Sequence, residues 1–237
     1  MIAGWKTGAA ALAAVLCFAG SAWAQVDEII VTGSRSIEWD RDDIPVVQLP
    51  RRADNLIVAV TVVNDTREAA GRRSELIATL RAMVQAAGRD ARIDLSIEDD
   101  GALVPLTEDM VSTLTLGSDP GRADTSVANL IVKTAIASAD TLDDASGRIE
   151  TFVDATPKTG RSLVNITGDW ELSIIDPGQY RPAILAAISS DAKTTAEAFG
   201  PAYAVEVSGL SNRVTWTQSG PLDLSLFIPY EMTVKPR

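Results

Sequence analysis

Histidine is absent from this 237-residue chain, and cysteine occurs once, at Cys17. The first absence removes Ser-His-Asp catalysis, the common general base near neutral pH and most zinc sites. The place of the cysteine removes more. Cys17 lies in the opening segment "MIAGWKTGAAALAAVLCFAGSAWA", which carries Lys6, an apolar core over residues 9–19, and small residues at Ala22 and Ala24. That is the pattern of a secretory leader, residues 1–24, cleaved after Ala24. The remaining chain is then expected to hold no thiol nucleophile and no disulfide framework. Leu16 stands where a lipoprotein signal wants a small residue, so lipidation of Cys17 is not expected. The apolar run is shorter than the ~20 residues a membrane span needs, and no later run is more apolar. No transmembrane segment is expected after the leader.

Positive charge is also scarce. Lys and Arg number 21 against 32 Asp and Glu, a net charge of −11 that becomes more negative when Lys6 leaves with the leader. So acidic a body makes nucleic acid an unexpected partner. A phosphate-cradling loop is missing too: "GSDPGRADTS" has two glycines but no Gly-Lys-Ser/Thr. The expected product is a periplasmic protein whose stability comes from a packed core.

Residues 25–52 mix charge with Pro45 and Pro50 and show little apolar periodicity, so they read as an extended arm or linker. The ordered body is expected over residues 53–237. "LIVAVTVV", residues 56–63, is a β-branched run and reads as a strand. Asp65 precedes Glu68 at capping-box spacing, and Leu76, Leu80, Met83, Val84 and Ala87 then share one helical face up to Gly88. Strands are expected at residues 92–97, 110–116 and 127–137, with an acidic turn at 98–101 and a loop at 118–126. A second helix carries Leu142, Ala145, Ile149, Phe152 and Val153. A strand at 165–175, broken near Gly168, leads through "DPGQYRP" to a third helix with a buried stripe of Ile184, Leu185, Ile188, Ala192, Ala196 and Phe199. Strands at 202–208, 213–217 and 222–234 close the chain, with Pro229 marking a bulge or an edge.

Strands outnumber helices in this order, and several must pair across short turns. The expected class is α+β, with helices packed on antiparallel or mixed sheets. One long helix in each half points to two related subdomains.

Candidate chemistry is sparse. Glu98, Asp99 and Asp100 lack the spaced ligands and distal Glu of a calcium loop, and Asp140, Asp143 and Asp144 suit a helix N-terminus. Ser190 and Lys193 share a helix face that reads as solvated, and nothing in the spacing selects a carboxylate pair for hydrolysis. Neither a metal nor a cofactor is expected. Arg122 and Asp124 are candidates for fixing a ligand or a neighbouring subunit. Trp170, Trp216, Phe227 and Tyr230 read as pocket lining or core packing.

The body resembles the SIMPL-domain family, relatives of the periplasmic immunogenic protein. The resemblance rests on "LIVAVTVVNDTREAAGRRSELIATLRAMVQAAG", "ANLIVKTAIASADTLDDASGRIETFVDA" and "YRPAILAAISSDAKTTAEAFGPAYAVEVSGL". It departs where the family often has Pro-Asp beside its first strand and this chain reads Asn64-Asp65. The likeness implies an α+β envelope protein, often oligomeric, with no catalytic motif to carry over. Separately, "DEIIVTGSR", residues 27–35, resembles the TonB-box region that opens TonB-dependent receptors. A receptor's plug and barrel cannot fit in the residues that follow. Asp27, Glu28, Ile29, Ile30, Val31 and Thr32 therefore read in two ways: a tethered strand donor for a partner's sheet edge, or the first strand of the chain's own sheet. Expected partners are envelope proteins, a second copy, or a TonB-like protein.

Overall fold

The computed structural model describes residues 28–31, 44–99 and 102–237. The expected leader (residues 1–24), Asp27, Thr32, Asp100 and Gly101 lie outside the described residues.

Two short strands, β1 (Glu28–Val31) and β2 (Leu49–Arg52), come before the first long one, β3 (Asn55–Asn64). Helix α1 (Ala69–Ala87), strands β4 (Ile93–Asp99) and β5 (Ala102–Pro105), helix α2 (Glu108–Val111), and strands β6 (Gly117–Asp119) and β7 (Arg122–Ala135) follow. Then come α3 (Leu142–Ala155), β8 (Ser162–Ile166), β9 (Glu171–Ile175), a 3-10 turn (Pro177–Tyr180) and α4 (Arg181–Phe199). Strands β10 (Tyr203–Ser208), β11 (Thr215–Gln218), β12 (Asp223–Phe227) and β13 (Glu231–Pro236) complete the chain. The fold is α+β, and every strand pairing among the described residues is antiparallel.

The centre is the β3–β7 pair, in register from Asn55↔Ala135 to Asn64↔Ser126. Both strands are rich in β-branched residues, which pack well on a pleated surface covered on one side by helices. Beyond β7 lie β4 and β5, with β6 hairpinned onto the start of β7. Beyond β3 the sheet divides: β8 pairs its C-terminal half and β9 its first residues. The division falls where Thr167 and Gly168 both donate their N–H to Ala59 O, at 3.0 and 3.3 Å. A Cβ on Gly168 would sit 2.9 Å from the Ala59 Cβ, so the close backbone approach at this break requires glycine. Strand β1 adds to the far side of β9, giving the order β1-β9-β3-β7-β4-β5.

Two cores result. In the first, Val58, Val60 and Val62 of β3 meet Leu76, Leu80 and Met83 of α1 and Ile149, Phe152 and Val153 of α3. In the second, Leu56, Leu172 and Ile174 meet Ile184 and Ile188 of α4 and Leu222, Leu224 and Leu226 around β12. Trp170, between β8 and β9, packs against both. The halves of the chain are not built alike: beside the large sheet stand a three-stranded sheet, β11-β12-β2, and a two-stranded one, β10-β13.

Several expectations need correction. Residues 110–116 are not a strand; Thr107 opens the single turn of α2, with Glu108 and Asp109 in the favourable first-turn positions. Residues 118–126 are not a loop: β6 turns into β7 at Pro120 and Gly121, where Asp119 Oδ1 accepts from Gly121 N at 2.8 Å. Part of the stretch read as linker is strand, since Leu49–Arg52 pairs with Leu226–Asp223 of β12. Pro50 fits because β2 is an edge strand. Helix α1 starts at N-cap Glu68 without a side-chain cap, so Asp65 does not cap it. The stripe on α4 is shorter than expected: Ile184 and Ile188 are buried, whereas Phe199 is 54% exposed and meets Tyr203 edge-on.

Candidate functional site

The first candidate is the outer side of strand β9, which carries β1 in the large sheet. Leu172 and Ile174 are buried in the second core, Ser173 is buried, and Ile175 is exposed at the strand end. Asn55 Nδ2 donates to Ser173 Oγ at 3.1 Å, tying β9 to the start of β3. Asp54 N and Ser173 O are 3.0 Å apart, and Ile175 N donates to Asp54 Oδ2 at 2.7 Å. The peptide groups of Ser173 and Ile175 therefore face β3. By strand alternation, those of Leu172 and Ile174 face the other way, toward β1. The register there is Glu28↔Ile175, Ile29↔Ile174, Ile30↔Ser173 and Val31↔Leu172. Of the two readings of this segment, the structure places Glu28, Ile29, Ile30 and Val31 on the chain's own sheet.

A second feature is a carboxylate and arginine knot where β3, β7 and β8 converge on the start of α1. Arg161 grips Asp65 at two points, Nε to Oδ1 at 2.6 Å and Nη2 to Oδ2 at 3.1 Å. Arg122 Nη2 adds a contact to Oδ2 at 2.9 Å. The Arg161 bonds, followed by the Arg122 bond, hold the Asp65 carboxyl down at about 2. Beneath it, Glu75 Oε2 accepts from Thr66 Oγ1 at 2.6 Å, Asn64 Nδ2 at 2.8 Å and Arg161 N at 3.0 Å. Those bonds, the Thr66 hydroxyl foremost, also hold Glu75 below the usual carboxylate range. Arg122 thus has an internal partner. Asp124 stands exposed on the same strand and is not among the groups that meet Asp65.

The third feature surrounds the turn before α3. Thr141 caps the helix in a reciprocal box with Asp144, which accepts from Thr141 N at 2.9 Å while Thr141 Oγ1 accepts from Asp144 N at 3.2 Å. Asp140 is held instead by Arg148 Nη2 at 2.6 Å and by Ala137 N at 2.8 Å, contacts that lower its pKa. Arg52 donates to the Ala137 and Asp140 carbonyls. An open cleft of about 410 Å³ lies here, lined by Arg52, the turn into α3 and the Pro221 to Asp223 turn.

Sequence reasoning singled out Arg122 but missed Asp65 as its partner and missed Arg161 altogether. Asp65 and Arg161 are far apart in the chain, and only the pairing of β3 with β8 brings them together. The aromatics go largely to packing: Phe227 is fully buried, and Trp170, Trp216 and Tyr230 pack against the cores. Burial raises the Tyr230 pKa, with Asp191 adding to the effect. Ser190 and Lys193 are exposed on α4. No group of His, Cys, Asp or Glu side chains among the described residues could hold a metal ion. No described helix is long and apolar enough to cross a membrane. Comparison with protein-family models, curated proteins and solved structures finds no match to this chain.

Proposed function

We propose that this is an exported, SIMPL-like protein of the bacterial envelope that acts by binding or assembly through the edges of its sheets. The observation that carries the reading is the β1–β9 ladder, in which a short segment near the N-terminus is held on a sheet edge by strand pairing. Strand addition of this kind takes affinity from main-chain hydrogen bonds and specificity from alternate side chains. The chemistry of the acids fits a binding role better than a hydrolytic one. Paired-carboxylate hydrolysis needs an acid of raised pKa. Asp65, Glu75, Asp90, Asp140 and Asp144 are all shifted downward by their hydrogen-bond donors.

The test is crosslinking in cells. A photo-crosslinking residue in place of Ile175, at the half-exposed end of β9, should capture an envelope protein or a second copy of this chain. Sizing of the leaderless protein reports the second copy directly. No captured species from this position would end this reading, as would turnover of a substrate by the purified protein.

A second reading makes the protein an accessory of TonB-dependent uptake whose residues 27–35 recruit an energy-transducing partner. The motif at residues 27–35 favours it, and among the described residues Glu28–Val31 is held by β9 alone. Pull-down with the periplasmic domain of a TonB-like protein tests it, and retention by a chain lacking residues 25–35 would sink it.

A further inference from the structure

Without β1, strand β9 would be an open edge of the large sheet. The four residues paired with β1, Leu172–Ile175, include no charge and no proline, the usual devices that keep such an edge from pairing with another chain; the charges Glu171 and Asp176 only flank them. Three of its four residues are buried, and Ile175 is 38% exposed. The cover is Glu28–Val31, which pairs with no other strand among the described residues. The ladder is short, four residues on each strand.

The ladder also defines what can sit there. Leu172 and Ile174 turn their peptide groups outward and their side chains into the second core. Positions opposite them in an incoming strand fall on the same face of the pleat, two residues apart, beside that core. Aliphatic, β-branched residues fit those positions, and the chain's own occupants are Ile29 and Val31. Glu28 is in register with Ile175, which is 38% exposed, so a polar residue suits that position of an incoming strand.

We infer that Leu172–Ile175 is a strand-acceptor site for an extended partner segment with a polar residue followed by β-branched aliphatics at alternate positions, and that Glu28–Val31 is its displaceable internal plug. The inference rests on the reading of this protein as one that binds through a sheet edge. A plug on the same chain competes intramolecularly, at a high effective concentration. A partner segment must therefore displace it by presenting further contacts or a longer strand, and its apparent affinity falls with the fraction of sites left open.

The peptide QVDEIIVTGSR, residues 25–35, carries this pattern and serves as the probe. In the leaderless chain, Ile29→Pro removes the N–H aimed at Ile174 and opens the edge. Fluorescence anisotropy should show saturable peptide binding to that variant and about tenfold weaker binding to the unsubstituted chain. A peptide carrying the same substitution should bind neither. Equal affinity for both chains overturns the inference, as does no binding to a variant that melts like its parent. A variant that dimerises and ignores the peptide also overturns it, because the edge then pairs with itself. If the variant does not fold, the unsubstituted chain is tested by NMR with millimolar nitroxide-labelled peptide. Loss of the Leu172 and Ile174 amide signals supports the site, and unchanged signals overturn it. A working peptide site with no partner captured in cells would defeat the functional reading alone. Capture without peptide binding would defeat this site alone.

Discussion

Asp65 and Arg161 form a two-point contact, Nε on Oδ1 and Nη2 on Oδ2, that fastens the end of β3 to the start of β8. With Arg122 on the same carboxylate, Asp65 falls from an ordinary value of 3.8 to about 2. A carboxyl depressed on folding stabilises the native state above its unfolded value, and the contribution is lost as pH falls through the folded one. The window is therefore from about pH 4 down to about 2. Asp65→Asn should flatten the dependence of Tm on pH across that window. Calorimetry should find up to about one proton fewer taken up on unfolding in the variant. Parallel Tm curves for parent and variant between pH 4 and 2 would show that the contact is not linked to folding.

Gly160 lies beneath the same knot, at φ 59°, where a Cβ would come within 2.1 to 2.5 Å of the Glu75 carboxyl atoms. The left-handed backbone alone costs a residue with a Cβ about 1–2 kcal/mol. The clash would also push Glu75 Oε2 away from three donors. Gly160→Ala should destabilise the protein by about 2 kcal/mol or more in urea unfolding. Gly147→Ala is the control, because a Cβ there meets nothing within 4 Å and the site is helical. It should be neutral or stabilising, as Gly in a helix interior is worth ~1 kcal/mol less than Ala.

The parts of this fold legible in the sequence are those whose signal is local. The β-branched runs of β3 and β7, the helical periodicity of α1 and α3, and the break at Gly168 each follow from neighbouring residues. The misses have the opposite character. Residues 110–116 look like a strand by composition, but Thr107, Glu108 and Asp109 favour a helical turn that absorbs Met110 and Val111. Asp65 has the spacing of a capping residue, yet two arginines brought by β7 and β8 take its carboxylate first. Phe199 continues the stripe on α4, but the second core ends before the helix does, so it remains exposed beside Tyr203. The candidate edge was half legible: the β-prone segment could be read, but its partner β9 lies too far along the chain to be found by spacing.

Arg148 is the main support of the turn that joins β7 to α3. Its Nε donates to Thr134 Oγ1 at 3.1 Å, and its Nη2 reaches Ala135 O at 2.9 Å and Asp140 Oδ2 at 2.6 Å. Both members of the ion pair are mostly buried, with side chains 15% and 16% exposed. Arg148→Met keeps much of the stem but strands these acceptors, and should cost about 2 kcal/mol by the usual price of a lost charged hydrogen bond. Arg148→Lys keeps the charge without the planar fork and should recover only part of that loss. Equal stability of all three proteins in urea unfolding would place the contact outside the energetics of the fold.

The pairing of β1 with β9 can be fixed covalently because Cys17 is the one native cysteine, and a chain beginning at Gln25 contains none. Glu28 and Ile175 are Cα partners, and the direction of the Ser173 and Ile175 peptide groups makes theirs a non-hydrogen-bonded site. Such sites bring Cα atoms to about 4.5 Å, within the range a disulfide can span. The double variant Glu28→Cys with Ile175→Cys should oxidise to an intramolecular disulfide, running as a monomer on a non-reducing gel. It closes a long loop, so the thermal midpoint of the oxidised form should exceed that of the reduced form. The oxidised protein should also lose binding of the 25–35 peptide, since its plug can no longer leave. A covalent dimer as the main product would mean that β1 is exchanged between two copies, and failure to oxidise would remove the ladder itself.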